Sequence, residues 1–194
     1  MKRVVYLIGM MGAGKSTVGK MLSQRLGWDF IDMDREIERR EGRTIPEIFA
    51  SDGEAGFRQL ESGLLEELSR RLGLVVATGG GAVLAPRAQG LMSGSGLVVY
   101  LRVDAETSYA RTKSDRSRPN LESDDRMQRI RELLERRSPT YCATADVSFQ
   151  SSGGSPARIV EKILNHPKMK ALEASVRASA EETVKGETKH GIPR

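Results

Sequence analysis

Cysteine is nearly absent from this chain: Cys142 stands alone among 194 residues. No internal disulfide is therefore available. Only two histidines occur, His166 and His190, both near the C-terminal end. Without a Cys/His cluster there is no zinc site of the usual spacing, and Cys142 has no evident base to activate it as a nucleophile. Aromatic residues are also scarce, at 5%, so a core must be assembled from Val, Leu, Ile, Ala and Met. No apolar run approaches the roughly 18 residues that a membrane span needs. The stretch Val4 to Ile8 is too short for a secretory signal, and glycines and Lys15 follow it at once. The expected location is the cytoplasm.

What is present is a modest excess of positive charge, +5. Much of it sits in Arg111 to Arg118 and in Arg126 to Arg137 rather than in a long basic tail. Local clustering suits small anionic ligands, phosphates and carboxylates, better than a nucleic acid or a lipid surface. The length suits one compact domain with a short appendage.

Apolar periodicity alternates between strand and helix along the chain. Strands are expected at Arg3–Ile8, Asp29–Asp32, Leu74–Thr78, Gly96–Leu101 and Val147–Phe149. Helices are expected at Lys15–Leu26, Asp34–Arg40, Ile45–Ala50, Glu54–Leu72, Ala85–Met92, Asp104–Thr112, Asp125–Arg137 and Pro156–Leu164. Lys113 to Asp124 is polar, contains Pro119 and reads as a mobile loop. Alternation of this kind defines an α/β fold, a parallel sheet with helices on both faces. From Lys168 the composition turns to Ala, Glu, Lys and Thr. That tail is expected to be weakly helical or disordered.

One motif carries a specific chemistry. Gly9-Met-Met-Gly12-Ala13-Gly14-Lys15-Ser16 matches the phosphate loop, G-x-x-x-x-G-K-[ST], between an expected strand and an expected helix. Glycines let several N–H groups converge on one anion, and the helix N-terminus adds its field. Gly12, Ala13, Gly14, Lys15, Ser16 and Thr17 are the nucleotide-binding candidates, with Lys15 reaching the β- and γ-phosphates and Ser16 a ligand of Mg²⁺. No Asn-Lys-x-Asp motif is present to read guanine. The third strand ends in Thr78, not in the acidic residue of a motor ATPase. The acidic pair falls instead on the second strand and its end, as Asp32 and Asp34. Strand alternation places both on one side at the C-terminal edge, where ligands bind in open α/β sheets. One carboxylate can anchor the metal's water shell and the other can take a hydroxyl proton. Both can equally cap the next helix, and spacing alone leaves the two readings level.

Further segments resemble the shikimate kinase family: Gly53-Glu54-Ala-Gly-Phe57-Arg58 with Glu61, Gly79-Gly80-Gly81 after a strand, Arg118-Pro119, and Arg137-Ser-Pro139-Thr-Tyr141. They occur in the family's order and spacing, and the resemblance covers about Met1 to Asn165. It implies the fold of the nucleoside-monophosphate kinases, a five-stranded parallel sheet of order 2-3-1-4-5 with a mobile lid at about 112–124. Residues 1–166 would form the domain and 167–194 an extension. It implies transfer of the ATP γ-phosphoryl group to the 3-hydroxyl of shikimate, with Mg²⁺. Asp34 would bind shikimate hydroxyls and act as general base, and Asp32 would hold the metal through water. Arg58 and Arg137 would clamp the substrate carboxylate, with Glu61 orienting Arg58. Gly79, Gly80 and Gly81 would let the ring approach, and Ile45, Phe49, Phe57 and Pro119 would line its apolar side. Arg118 would close over the phosphates and Arg111 would flank adenine. Arg116 competes with Arg118, which is preferred because Pro119 follows it.

This sequence departs from the family in two places. Asn120 stands where leucine is usual in the lid. The turn Ser151 to Pro156 lacks the basic residue that some relatives set against adenine. A monomer is the default expectation, with no nucleic-acid or membrane partner. The alternative acceptor is another small hydroxy acid such as gluconate.

Overall fold

The computed structural model describes residues 2–113 and 125–188, with side chains through residue 181. Five parallel strands form one sheet in the order β2-β3-β1-β4-β5, as expected. These are β1 (Val4–Ile8), β2 (Asp29–Asp32), β3 (Leu74–Ala77), β4 (Gly96–Arg102) and β5 (Val147–Gln150). Every residue of β1 and β3 is buried. Helices therefore cover both faces, as a parallel sheet requires.

Side-chain alternation along β1 divides the core into two layers. Val5 and Leu7 face α1 (Lys15–Leu26) and α7 (Pro156–Asn165), packing with Val18, Leu22, Ile159 and Ile163. Val4, Tyr6 and Ile8 face α2 (Met33–Glu41), α3 (Ile45–Leu68) and α4 (Pro86–Ser95), meeting Met33, Ile48, Leu65 and Met92. Two further helices, α5 (Ala105–Thr112) and α6 (Arg126–Thr144), stand beside the C-terminal ends of the central strands. No helix among the described residues is long and apolar enough to cross a membrane.

Several boundaries differ from expectation for identifiable reasons. The two helices expected at Ile45–Ala50 and Glu54–Leu72 form one element, α3, broken at Gly53. There φ is 68°, a left-handed backbone that glycine adopts at least cost. Its first turn is fixed by a capping box between Thr44 and Glu47. Its end falls at Leu68 because Arg70 and Arg71 bond back only three residues, to Glu67 and Leu68. The helix expected to stop at Arg137 runs on through Pro139 to Thr144. Its buried residues Ile130, Leu133, Arg137, Tyr141 and Thr144 form one continuous face, so packing outweighs the proline.

The tail beyond residue 166 continues as α8 (Pro167–Thr188). Met169, Leu172 and Val176 are buried in the first core layer, and Val176 reaches the turn at Gly73. That three-and-four spacing supplies an apolar stripe, which is why this segment docks rather than frays. The expected lid, including Arg116, Arg118, Pro119 and Asn120, lies outside the described residues.

Candidate active site

The loop after β1 builds the first wall. Its Ala13 N–H bonds Met10 O at 3.2 Å, turning the backbone back on itself. Gly9 has φ 140°, and a Cβ there would lie 2.5 Å from Leu101 O; no other residue fits the crossing to β4. Gly14 is the N-cap of α1, so the positive end of that helix faces the space above the loop. Lys15 Nζ arches over the loop, bonding Gly9 O at 2.9 Å and Met10 O at 3.1 Å. Gly12, Gly14, Lys15, Ser16 and Thr17 all line a cavity of about 580 Å³. Ala13 does not line it, since its side chain is wholly buried in the core.

The second wall is the end of β2. Ser16 Oγ donates to Asp32 Oδ2 at 2.5 Å. Asp32 is also the N-cap of α2, with Oδ1 3.5 Å from Arg35 N. Asp32 thus caps α2 and also pairs with the phosphate-loop Ser16. Asp34 is not on the strand, because β2 ends at Asp32 and Asp34 lies in the first turn of α2. Its carboxylate still lines the same cavity. A hydroxyl beside a carboxylate at a phosphate loop offers the hard oxygen donors that a Mg²⁺-type cation accepts, with most positions left to water and phosphate. Among the described residues no group of three or more His, Cys, Asp or Glu side chains is placed to hold a metal ion.

The third wall joins α3, the loop after β3 and α6. Arg58 Nη1 donates to Glu61 Oε2 at 2.6 Å and Nη2 to Glu54 Oε1 at 3.1 Å. Its guanidinium also lies 5.4 Å from the Phe57 ring centroid. Burial alone would lower the Arg58 pKa, but the Glu61 and Glu54 carboxylates outweigh it and raise it. Burial pushes the Glu61 carboxyl upward against the pull of Arg58. Glu61 Oε1 and Arg137 Nε are buried with no partner among the described residues. Two buried groups of that kind beside one cavity call for a polar occupant. A Cβ on Gly79 would lie 2.5 Å from Glu61 Oε1 and 2.9 Å from Asp34 Oδ1. The glycine at 79 is therefore what lets these two carboxylates close in. Phe49 and Phe57 stack at 4.9 Å on the apolar side, with Ile45.

At the far end, Arg111 donates to Gly12 O at 2.9 Å and to Ser151 O at 3.0 Å. It ties the phosphate loop to the turn after β5. Apart from Ala13, Arg118 and Pro119, the candidates named from the sequence converge on one cavity. Arg118 lies outside the described residues. Sequence reasoning gave no role to Met11, Arg35, Glu38, Thr78 or Thr112, which also line it. Only the adjacency of Arg35 and Glu38 to Asp34 on one helical turn could have flagged those two. Tyr141 was seen only as part of a motif, yet its hydroxyl donates to Gly80 O.

A phosphate loop sharing one cavity with an acid and two arginines belongs to a P-loop kinase of the small-molecule type. Comparisons narrow that class. The family model described as Shikimate kinase matches residues 11–168. Shikimate kinase from Halorhodospira halophila is 46% identical over 160 residues, 82% of this chain and 90% of that protein. Shikimate kinase from Hahella chejuensis is 42% identical over 183 residues, 94% and 91%. A structure of Acinetobacter baumannii shikimate kinase in complex with shikimate aligns with TM-score 0.82 at 42% identity, covering 84% of this chain and 92% of that one. This chain belongs to the shikimate kinase family.

Proposed function

We propose that this chain transfers the γ-phosphoryl group of ATP to the 3-hydroxyl of shikimate, giving 3-phosphoshikimate and ADP. One observation carries the reading beyond a generic kinase. Asp34, Arg58, Arg137 and the Gly79–Gly81 loop line the same cavity as the phosphate loop. An acid that can take a hydroxyl proton thus faces two cations that can hold a carboxylate. A hydroxy acid of ring size suits both, with the hydroxyl toward the phosphate.

Phosphoryl transfer depends on positioning and charge neutralisation. Backbone N–H groups of the loop, Lys15 and Thr17 hold the phosphates, and Lys15 carries positive charge toward the transferring group. Arg118 is proposed to add positive charge at the phosphates. Arg111 sets the base-side edge of the nucleotide site. Asp34 orients the attacking hydroxyl and accepts its proton. Arg58 and Arg137 fix the far end of the ring by planar, bidentate contact with the carboxylate, and Glu61 aims Arg58. Magnesium is the proposed ion, held by Ser16 and through water by Asp32; when bound it neutralises charge on the β- and γ-phosphate oxygens. A monomer is the proposed working unit. ATP as co-substrate suits a cytoplasmic location.

The test is Asp34→Asn. Turnover should fall by about 1,000-fold or more, the upper range for a general base, while ATP affinity stays within about twofold. If Asp34→Asn kept most of its turnover, Asp34 would not be the base.

A further inference from the structure

The structure assigns Tyr141 as a positioning residue for the acceptor end of the cavity, acting through the Gly80 carbonyl; this rests on the reading of that end as the shikimate site. Two donors one helical turn apart on α6 meet that carbonyl. Tyr141 donates its hydroxyl, and Arg137 Nη1 approaches at 3.3 Å. A carbonyl oxygen has two lone pairs and can accept both. The peptide joining Gly80 to Gly81 is trans, so turning its C=O toward α6 turns its N–H the opposite way. Neither the Gly80 nor the Gly81 N–H has a bonded partner among the described residues. Both residues line the cavity. Glycines have no side chain to resist rotation of this peptide, so the bond from Tyr141 supplies the restraint.

Tyr141 is built for the task. It is fully buried and its ring packs on Tyr100 with centroids 5.0 Å apart. The groups facing it are Arg137 on α6, Glu61 on α3 and Tyr100 on β4. Arg137 and Tyr141 share one acceptor, so the hydroxyl also sets where the Arg137 guanidinium rests. Loss of the hydroxyl therefore loosens two proposed shikimate contacts at once and removes no bond to the phosphate loop.

The experiment compares Tyr141→Phe with Tyr100→Phe in steady-state kinetics with Mg-ATP and shikimate. Tyr100→Phe removes a hydroxyl from the same stack, one that pairs with Ser138 and not with the glycine loop. Tyr141→Phe should raise the shikimate KM about tenfold, the scale of one buried hydrogen bond, and leave the ATP KM within about twofold. Tyr100→Phe should lower the melting temperature without moving either KM. An unchanged shikimate KM in Tyr141→Phe, or parallel changes in both variants, would overturn the positioning role. Should Tyr141→Phe fail to fold, a fluorinated tyrosine at 141 keeps the ring and acidifies the hydroxyl. The alkaline rise of the shikimate KM should then begin at lower pH than in the wild type, and an unmoved profile would overturn the role. Wild-type protein with no shikimate-dependent turnover would instead sink the functional reading, and this inference with it.

Discussion

Gly79→Ala is the sharpest perturbation the geometry offers. The added Cβ would lie 2.5 Å from Glu61 Oε1 and 2.9 Å from Asp34 Oδ1, both inside van der Waals contact. Glu61 cannot swing away, because its side chain is only 5% exposed and ion-paired to Arg58 at 2.6 Å. Asp34, in the first turn of α2, is the group expected to be pushed aside. Overpacking of this kind costs about 1–3 kcal/mol, or about 3–10 °C in Tm for a chain of this size. A displacement near 1 Å at the proposed base can cost about 100-fold in rate, so kcat/KM for shikimate should fall by that order. Coupled ADP release and thermal melts read both. Gly63→Ala is the control. It lies in the same helix as Arg58, but nothing stands within 4 Å of its Cβ position, so it should stabilise by about 0.5–1 kcal/mol and leave kinetics alone. A Gly79→Ala enzyme with full kcat/KM and an unchanged melt would refute the packing argument.

Other outcomes follow from the same wall and from the core. Arg58→Ala should raise the shikimate KM at least tenfold and the ATP KM little. It should also lower stability by about 3–5 kcal/mol, because Glu61 is left buried and unpaired. Adding Glu61→Gln to that variant should recover most of the stability and none of the KM, as urea unfolding and kinetics would reveal. Leu172→Ala should cost about 2–5 kcal/mol, since Leu172 is buried against the first core layer; a chain that melts like wild type would show the tail to be a passenger. Burial pushes the Tyr6 and Tyr141 hydroxyls up to about 12. Their folded-state values are raised above the ordinary value near 10, so that stabilisation is complete below pH 10 and is lost as pH rises toward 12. Melting temperature should therefore fall steeply across that window, and a flat profile would contradict it.

The fold was largely legible because parallel strands buried on both faces leave apolar runs that need no partner to be seen. The phosphate loop was legible because its chemistry restricts residue types at fixed spacing. Asp34 lines the cavity from the first turn of α2 and not from the strand. Strand alternation was extended past Asp32, where the N-cap had already started a helix. The end of α6 was missed because Pro139 reads as a stop, while the packing of Tyr141 that carries the helix past it is a long-range contact with Gly80 and Tyr100. The tail was underestimated for the same reason. Met169, Leu172 and Val176 make a thin stripe by composition, and only the groove beside α7 makes it a core element. The Glu61 pairing to Arg58 was implied by the family resemblance, and the structure places the two at i and i+3 on α3. That its other oxygen is buried beside Asp34 depends on Gly79, which local sequence does not reveal.

The central claim is the acceptor. Purified protein with Mg-ATP should be assayed for ADP release with shikimate, with gluconate and with neither. The account predicts a large rate with shikimate alone. A slow rate indifferent to shikimate, or a faster one with gluconate, would contradict it.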